Sequence, residues 1–281
     1  MHERANHQGP RLWLIAGTGD GLELAQALRR RGWRLVVSVV SREAALAYPS
    51  DPNLTVQAGP IGGAAGIRSR LAQAQREGDP YAAVVDASHP FARQITAALA
   101  EVWKAPGLQQ RPPLLRLQRP DASAMVVARL RVLPDLEALA GLPLTGCRLL
   151  LAIGARQLGR AVQFSPGAMH HARLLPSATA LQQGGAAGLA PERLACLRPG
   201  DPQELAVLRA LLRRWRIETI LCRQSGGITE QLWRQLAAEL NLDLLLLARP
   251  PEPEGLRQLE LQSLLQALEA LHPAPASDAR A

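Results

Sequence analysis

The stretch Val84-Val85-Asp86-Ala87-Ser88-His89-Pro90-Phe91-Ala92 restricts the fold more than any other part of this chain. Two apolar residues run into an acid, a hydroxyl and an imidazole, and a proline then opens a helix pattern. Such a run reads as a buried strand whose carboxyl end carries ionisable groups beside a helix start. Open α/β sheets collect their ligands at that edge. The same nine residues therefore point to a fold class and to the place of its site.

Short aliphatic runs alternate with amphipathic stretches on either side. Strands are expected at 12–16, 34–40, 54–58, 82–86 and 114–118, with helices at 21–31, 67–77 and 91–103. The pattern then restarts. Extended segments fall at 126–132, 148–153, 170–175, 193–197, 219–222 and 244–248, and helices at 156–163, 202–215, 229–240 and 256–271. Alternation of this kind implies parallel sheets covered by helices. The expected architecture is α/β: two Rossmann-like parallel-sheet domains with a cleft between them. The first covers 11–120 and the second 121–272, with disordered tails at 1–10 and 273–281; the turn at Arg119-Pro120-Asp121 marks the boundary. Gly184 to Gly188 reads as a surface loop.

The net charge of +8 comes almost wholly from arginine, since Lys104 is the only lysine. Guanidinium groups make forked contacts with carboxylate and phosphate, so an anionic small molecule is the natural partner. Nucleic acid is not expected, because no basic stripe is interleaved with stacking aromatics. Cys147, Cys196 and Cys222 are far apart and form no CxxC pair, so neither zinc nor disulfides are expected. The doublet His170-His171 lies in strand pattern, with side chains on opposite faces, and makes a poor metal site. No apolar run is long enough to span a bilayer, and the first ten residues hold no signal-like core, so the expectation is a cytoplasmic protein without membrane contact. Gx4GK[ST], GxSxG and HExxH patterns are missing, which argues against P-loop, α/β-hydrolase and zincin chemistry.

Six places carry the candidate chemistry. In Ala16-Gly17-Thr18-Gly19-Asp20-Gly21 a strand enters a glycine-rich turn and a helix leaves it. Gly17, Thr18, Gly19 and Asp20 are candidates to cradle a phosphate, with a merely tight strand-to-helix turn as the weaker competing reading. At the end of the second strand, Ser41 and Arg42 suit a ribose 2′-phosphate, favouring NADPH over NADH; a solvated pair of Arg42 with Glu43 is the competing reading. Asp86 and His89 are the candidate catalytic residues, for orienting substrate or relaying a proton. Ser88 reads as a cap for the next helix and as a possible substrate contact. Arg119 leaves a strand end where a guanidinium can clamp a carboxylate; an exposed edge is the competing reading for Arg119 and the stronger one for Arg116. Arg156 follows the strand–glycine turn at Gly154. Ser225, Gly226 and Gly227 follow another strand and offer N–H donors to phosphate or carboxylate.

The order of these pieces resembles the precorrin-6A reductase family of cobalamin biosynthesis. LIAGTGDGLELA, VVDASHPFA, PLLRLQRP and CRQSGG match in sequence, IGARQL resembles a further family loop, and the likeness runs from Leu12 to about Pro250. The chain departs from the family at two loops. Ala16-Gly17-Thr18-Gly19-Asp20 stands where a glycine pair, then Thr, Ala or Ser, then Glu is usual, and Ser41 precedes Arg42 where a glycine is usual. The resemblance implies an NADPH-dependent reduction of one double bond in a precorrin macrocycle, giving precorrin-6B from precorrin-6A or its cobalt form. It implies a tetrapyrrole substrate rich in acetate and propionate groups, and other enzymes of the same pathway as partners. Gly17, Thr18, Asp20 and Arg42 would face the cofactor with Ser225 to Gly227 opposite, and Arg119 and Arg156 would clamp substrate carboxylates. Alternatives are another NAD(P)H-dependent reductase of an anionic small molecule, or a non-enzymatic NADPH-sensing module.

Overall fold

A computed structural model describes residues 9–17, 19–106, 111–120, 127–200 and 202–271. It divides into two units, Met1–Arg119 with Pro250–Ala281, and Pro120–Arg249. Each is built on a six-stranded sheet in which every pairing is parallel.

In the first unit the strands are β1 (Arg11–Ile15), β2 (Arg34–Val39), β3 (Leu54–Ala58), β4 (Ala83–Asp86) and β5 (Leu114–Leu117), completed by β12 (Arg257–Leu259). Their spatial order is β12-β5-β4-β1-β2-β3. The strand sequence reverses direction between β1 and β4, which is where an open sheet leaves a crevice at its carboxyl edge. Alternate residues of β1 serve the two faces. Leu12 and Leu14 pack under α1 (Gly19–Arg30) and α9 (Leu261–Leu271), while Trp13 and Ile15 pack under α3 (Gly63–Arg76) and α4 (Arg93–Lys104).

The second unit contains β6 (Leu130–Leu133), β7 (Arg148–Ala152), β8 (Met169–Leu174), β9 (Leu194–Cys196), β10 (Thr219–Arg223) and β11 (Asp243–Leu247), in the order β6-β11-β10-β7-β8-β9. The reversal point falls between β7 and β10. Helices α5 (Leu158–Phe164), α6 (Ala178–Ala186), α7 (Glu204–Arg214) and α8 (Ile228–Leu240) connect the strands. One core joins Leu150, Ile220, Cys222, Leu244 and Leu246 to Leu208, Leu212, Trp233 and Leu236 from α7 and α8.

The parallel-sheet expectation holds in both units; three local expectations differ. The second domain does not run to 272. Residues from Pro250 onward belong to the first unit, because β12 pairs with β5 and Leu264, Leu265 and Leu268 of α9 fill the first core. A single helix over 256–271 gives way to that short strand followed by α9. Gly184 to Gly188 is not simply a loop, since α6 runs through Ala186, started by Ser177, whose hydroxyl accepts from the Ala180 N–H at 3.2 Å. Gly184 lets α6 approach the sheet: a Cβ there would stand 3.0 Å from Leu194. Of the tails, residues 1–8 and 272–281 lie outside the described residues, whereas Gly9 and Pro10 lead into β1 and the Pro10 carbonyl accepts from the Arg34 N–H at 2.9 Å.

Candidate functional site

The carboxyl ends of β1 and β4 are neighbours, with Ile15 opposite Asp86. The glycine turn after β1 and the Asp86–His89 corner after β4 therefore open on the same edge of one sheet. A Cβ on Gly17 or Gly19 would meet nothing within 4 Å, whereas one on Gly21 would stand 2.6 Å from the Cβ of Ala16. The turn is thus open on its outer side, and Gly21 is what allows α1 to lie close to β1. Thr18 lies outside the described residues. Asp20, in the first turn of α1, is ion-paired with Arg119 at 2.6 Å, and Arg119 is buried. Two residues expected to meet different ligands thus meet each other.

Asp86 is 1% exposed. Its carboxylate accepts from the Ser88 N–H at 2.9 Å, the Thr96 hydroxyl at 2.9 Å and Arg116 Nη1 at 2.7 Å. Arg116 is not an exposed edge. β12 covers β5, and the Arg116 guanidinium is gripped on its other side by Glu252, with Nε at 2.7 Å and Nη2 at 2.8 Å from the carboxylate. Burial works to lower the Arg116 pKa, but the charges of Asp86 and Glu252 and their hydrogen bonds leave it above its ordinary value. Ser88 does not cap α4, whose cap position is Ala92; it is buried, with its hydroxyl 3.4 Å from Arg116 Nη1. His89 is half-buried on the next turn. Its Nδ1 accepts the Phe91 N–H at 3.1 Å, so a neutral ring carries its proton on Nε2.

At the end of β2, the Ser41 hydroxyl caps α2 (Arg42–Ala45), accepting from the Ala44 N–H at 3.3 Å. Arg42 is exposed, and no ion pair joins it to Glu43 among the described residues. The Glu43 carboxyl is held below its usual value first by a backbone hydrogen bond and then by Ser41, with Arg42 the least of its influences.

In the second unit β7 and β10 end side by side, with Ala152 opposite Cys222. Gly154 follows at φ +85°, a conformation that favours glycine. A Cβ there would lie 3.4 Å from the Arg223 guanidinium. Arg156 is exposed in the short turn that comes next. Burial, then the like charge of Arg156, push the Arg223 pKa down to about 10.

The Ser225–Gly227 turn departs from expectation. The Ser225 N–H donates to the Arg223 carbonyl at 2.8 Å, and the Gly226 N–H donates to Glu230 at 2.7 Å. Two of the three donors expected to face a ligand are thus used internally. Glu230 is 1% exposed and is held in turn by Arg234 at 2.8 Å. Its place in the first turn of α8, three residues after the Gly227 cap, is the spacing of a capping acid, and that was the signal available in the sequence. Arg116, Glu252, Thr96, Arg223 and Glu230 are the participants that sequence reasoning did not assign to the site. Among the described residues no group of His, Cys, Asp or Glu could hold a metal ion, and no helix is long and apolar enough to cross a membrane.

Residues 11–272 match the family model described as precorrin-6x reductase CbiJ/CobK. A cobalt-precorrin-6A reductase from Synechocystis sp. is 34% identical over 249 residues, covering 87% of this chain and 90% of that protein. A precorrin-6A reductase from Mycobacterium tuberculosis is 30% identical over 253 residues, covering 89% and 93%. The solved structure of CobK precorrin-6A reductase superimposes with a TM-score of 0.73 at 26% identity, covering 95% of this chain and all of that one.

Proposed function

The chain belongs to the precorrin-6x reductase CbiJ/CobK family, and we propose that it reduces the precorrin-6A macrocycle with NADPH as the electron source. It is an oxidoreductase of cobalamin biosynthesis acting on a carbon–carbon double bond, and a reductase of this kind uses a nicotinamide cofactor. The observation that carries the reading is the juxtaposition, on neighbouring strand ends, of the open glycine turn and the Asp86–His89 corner. NADPH, when bound, supplies the hydride; the protein supplies placement and charge.

The residues present fit such a cofactor. Gly17 and Gly19 leave space beside the first turn of α1, whose N–H groups have no acceptor within the helix. Ser41 and Arg42 stand at the end of β2, where a 2′-phosphate would be read, and Arg42 is exposed for that contact. Asp86, with its oxygens already turned to Thr96, Arg116 and Ser88, fixes the corner rather than moving a proton. His89 is the group of that corner that orients the ring or hands on a proton, with Ser88 and Arg119 shaping the surroundings. In the second unit Arg156 and Arg223 bind substrate acetate and propionate groups, and Gly227 is the member of its turn left to face a ligand. A cytoplasmic setting suits a reduction that draws on NADPH.

The test is to mix purified protein with NADPH and precorrin-6A and to follow cofactor absorbance. Oxidation that depends on the macrocycle is expected; no oxidation with substrate present overturns the proposal.

A further inference from the structure

Tyr48 has no assigned part in this site, yet the fold brings its hydroxyl to the first turn of α1. Two backbone bonds carry the chain past α2: the Ala47 N–H donates to the Ala44 carbonyl at 3.4 Å and the Tyr48 N–H to the Ala45 carbonyl at 3.1 Å. The Tyr48 ring then packs against the first core. Its hydroxyl lies 3.4 Å from the point where a Cβ on Gly21 would stand. Gly21 therefore leaves room for this hydroxyl as well as for Ala16.

Tyr48 makes no hydrogen bond among the described residues. Tyr48 is half-buried, and its hydroxyl is not among the fully buried polar atoms that lack a partner, so the ring packs inward while the oxygen stays accessible beside the start of α1. Burial pushes the phenol pKa up to about 12, so the group remains a hydrogen-bond donor at neutral pH. Phosphate oxygens only accept. Asp20, the acidic side chain of the same turn, is already paired with Arg119.

We infer that Tyr48 is a cofactor-binding residue whose hydroxyl donates to a phosphate oxygen of the nicotinamide dinucleotide at the start of α1. The inference rests on the cofactor placement proposed above. It joins the loop after β2 to the turn after β1 as a single binding surface.

Tyr48→Phe removes one oxygen and leaves the packing in place. The measurements are NADPH titration by its fluorescence and thermal unfolding with and without NADPH. The variant is expected to bind NADPH about tenfold more weakly, the size of one hydrogen bond to a charged acceptor. Its melting temperature without cofactor should equal or exceed that of the parent, and its gain on adding NADPH should be smaller. A variant that binds NADPH as the parent does overturns the inference, as does one whose cofactor-free melting temperature falls in step with its affinity. A parent protein that fails to bind NADPH refutes the cofactor placement itself, an outcome distinct from unchanged affinity in Tyr48→Phe.

Discussion

Replacing Arg116 with methionine is the most demanding test of the network behind the Asp86 corner. Methionine approximates the arginine stem but removes a charge that is 3% exposed and faces two carboxylates. Removing one partner of a buried ion pair costs about 3–5 kcal/mol, because the other charge is left without its partner in a poorly solvated place. The two acids differ in what they would suffer. The Glu252 side chain is 25% exposed and can be rehydrated, so its loss adds little. Asp86 is 1% exposed, but it keeps its bonds from Thr96 and the Ser88 N–H. The expected cost is therefore at the low end, about 3 kcal/mol. In a unit of about 150 residues that is a fall in melting temperature of roughly 6–12 °C. Urea and thermal unfolding followed by circular dichroism would measure it. The double variant Arg116→Met with Asp86→Asn should recover about 1 kcal/mol or more, because a neutral amide no longer strands a charge. A single variant within about 1 kcal/mol of the parent, or a double variant less stable than the single one, would refute the reasoning.

Three further outcomes are expected. Arg42→Ala should weaken NADPH by about tenfold or more while changing NADH little; equal losses in parallel titrations would mean that Arg42 does not read the 2′-phosphate. Gly226→Ala should lower the unfolding free energy read from urea titration by roughly 1–3 kcal/mol or more, since Gly226 has φ +68° and an added Cβ would overlap Arg249 Nη2 and the Pro120 carbonyl oxygen. Trimming Arg249 to alanine should not rescue it, because the carbonyl remains. Burial lowers the pKa of both His170 and His171 below the ordinary 6.5, so protons bind the unfolded chain more readily. Their contribution to stability is complete above about pH 6.5 and lost as pH falls through and below it; His171→Phe should flatten this acid limb in melting curves, and a parent with level stability from about pH 7 to pH 5 would contradict the assignment.

The alternation of strands and helices was legible because a buried strand and an amphipathic helix have different periods, and Val84-Val85-Asp86 showed where one strand would end. Asp86 and His89 were correctly expected at the carboxyl edge. What the sequence did not disclose was partnership over long separations. Nothing local in Arg116 announces Glu252, 136 positions away, as its counter-ion. Arg116 alternates with apolar neighbours like any exposed strand residue, and only the covering of β5 by β12 makes it internal. That covering was illegible in turn, because Arg257–Leu259 is a three-residue strand with one apolar side chain and no periodicity to read. The reverse error occurred at Ser225–Gly227, where glycines suggested an open anion site and a buried acid four residues beyond Gly226 supplied the anion from within.

The threading of the sixth strands bears on how the molecule is made. The strand after β5 in sequence, β6, completes the second sheet, and the first sheet receives β12 only after β11 has been laid down. An emerging chain that has reached residue 249 lacks β12 and the three α9 leucines of its first core, each worth roughly 2 kcal/mol. The amino-terminal half therefore waits for the last stretch of translation to acquire its finished form.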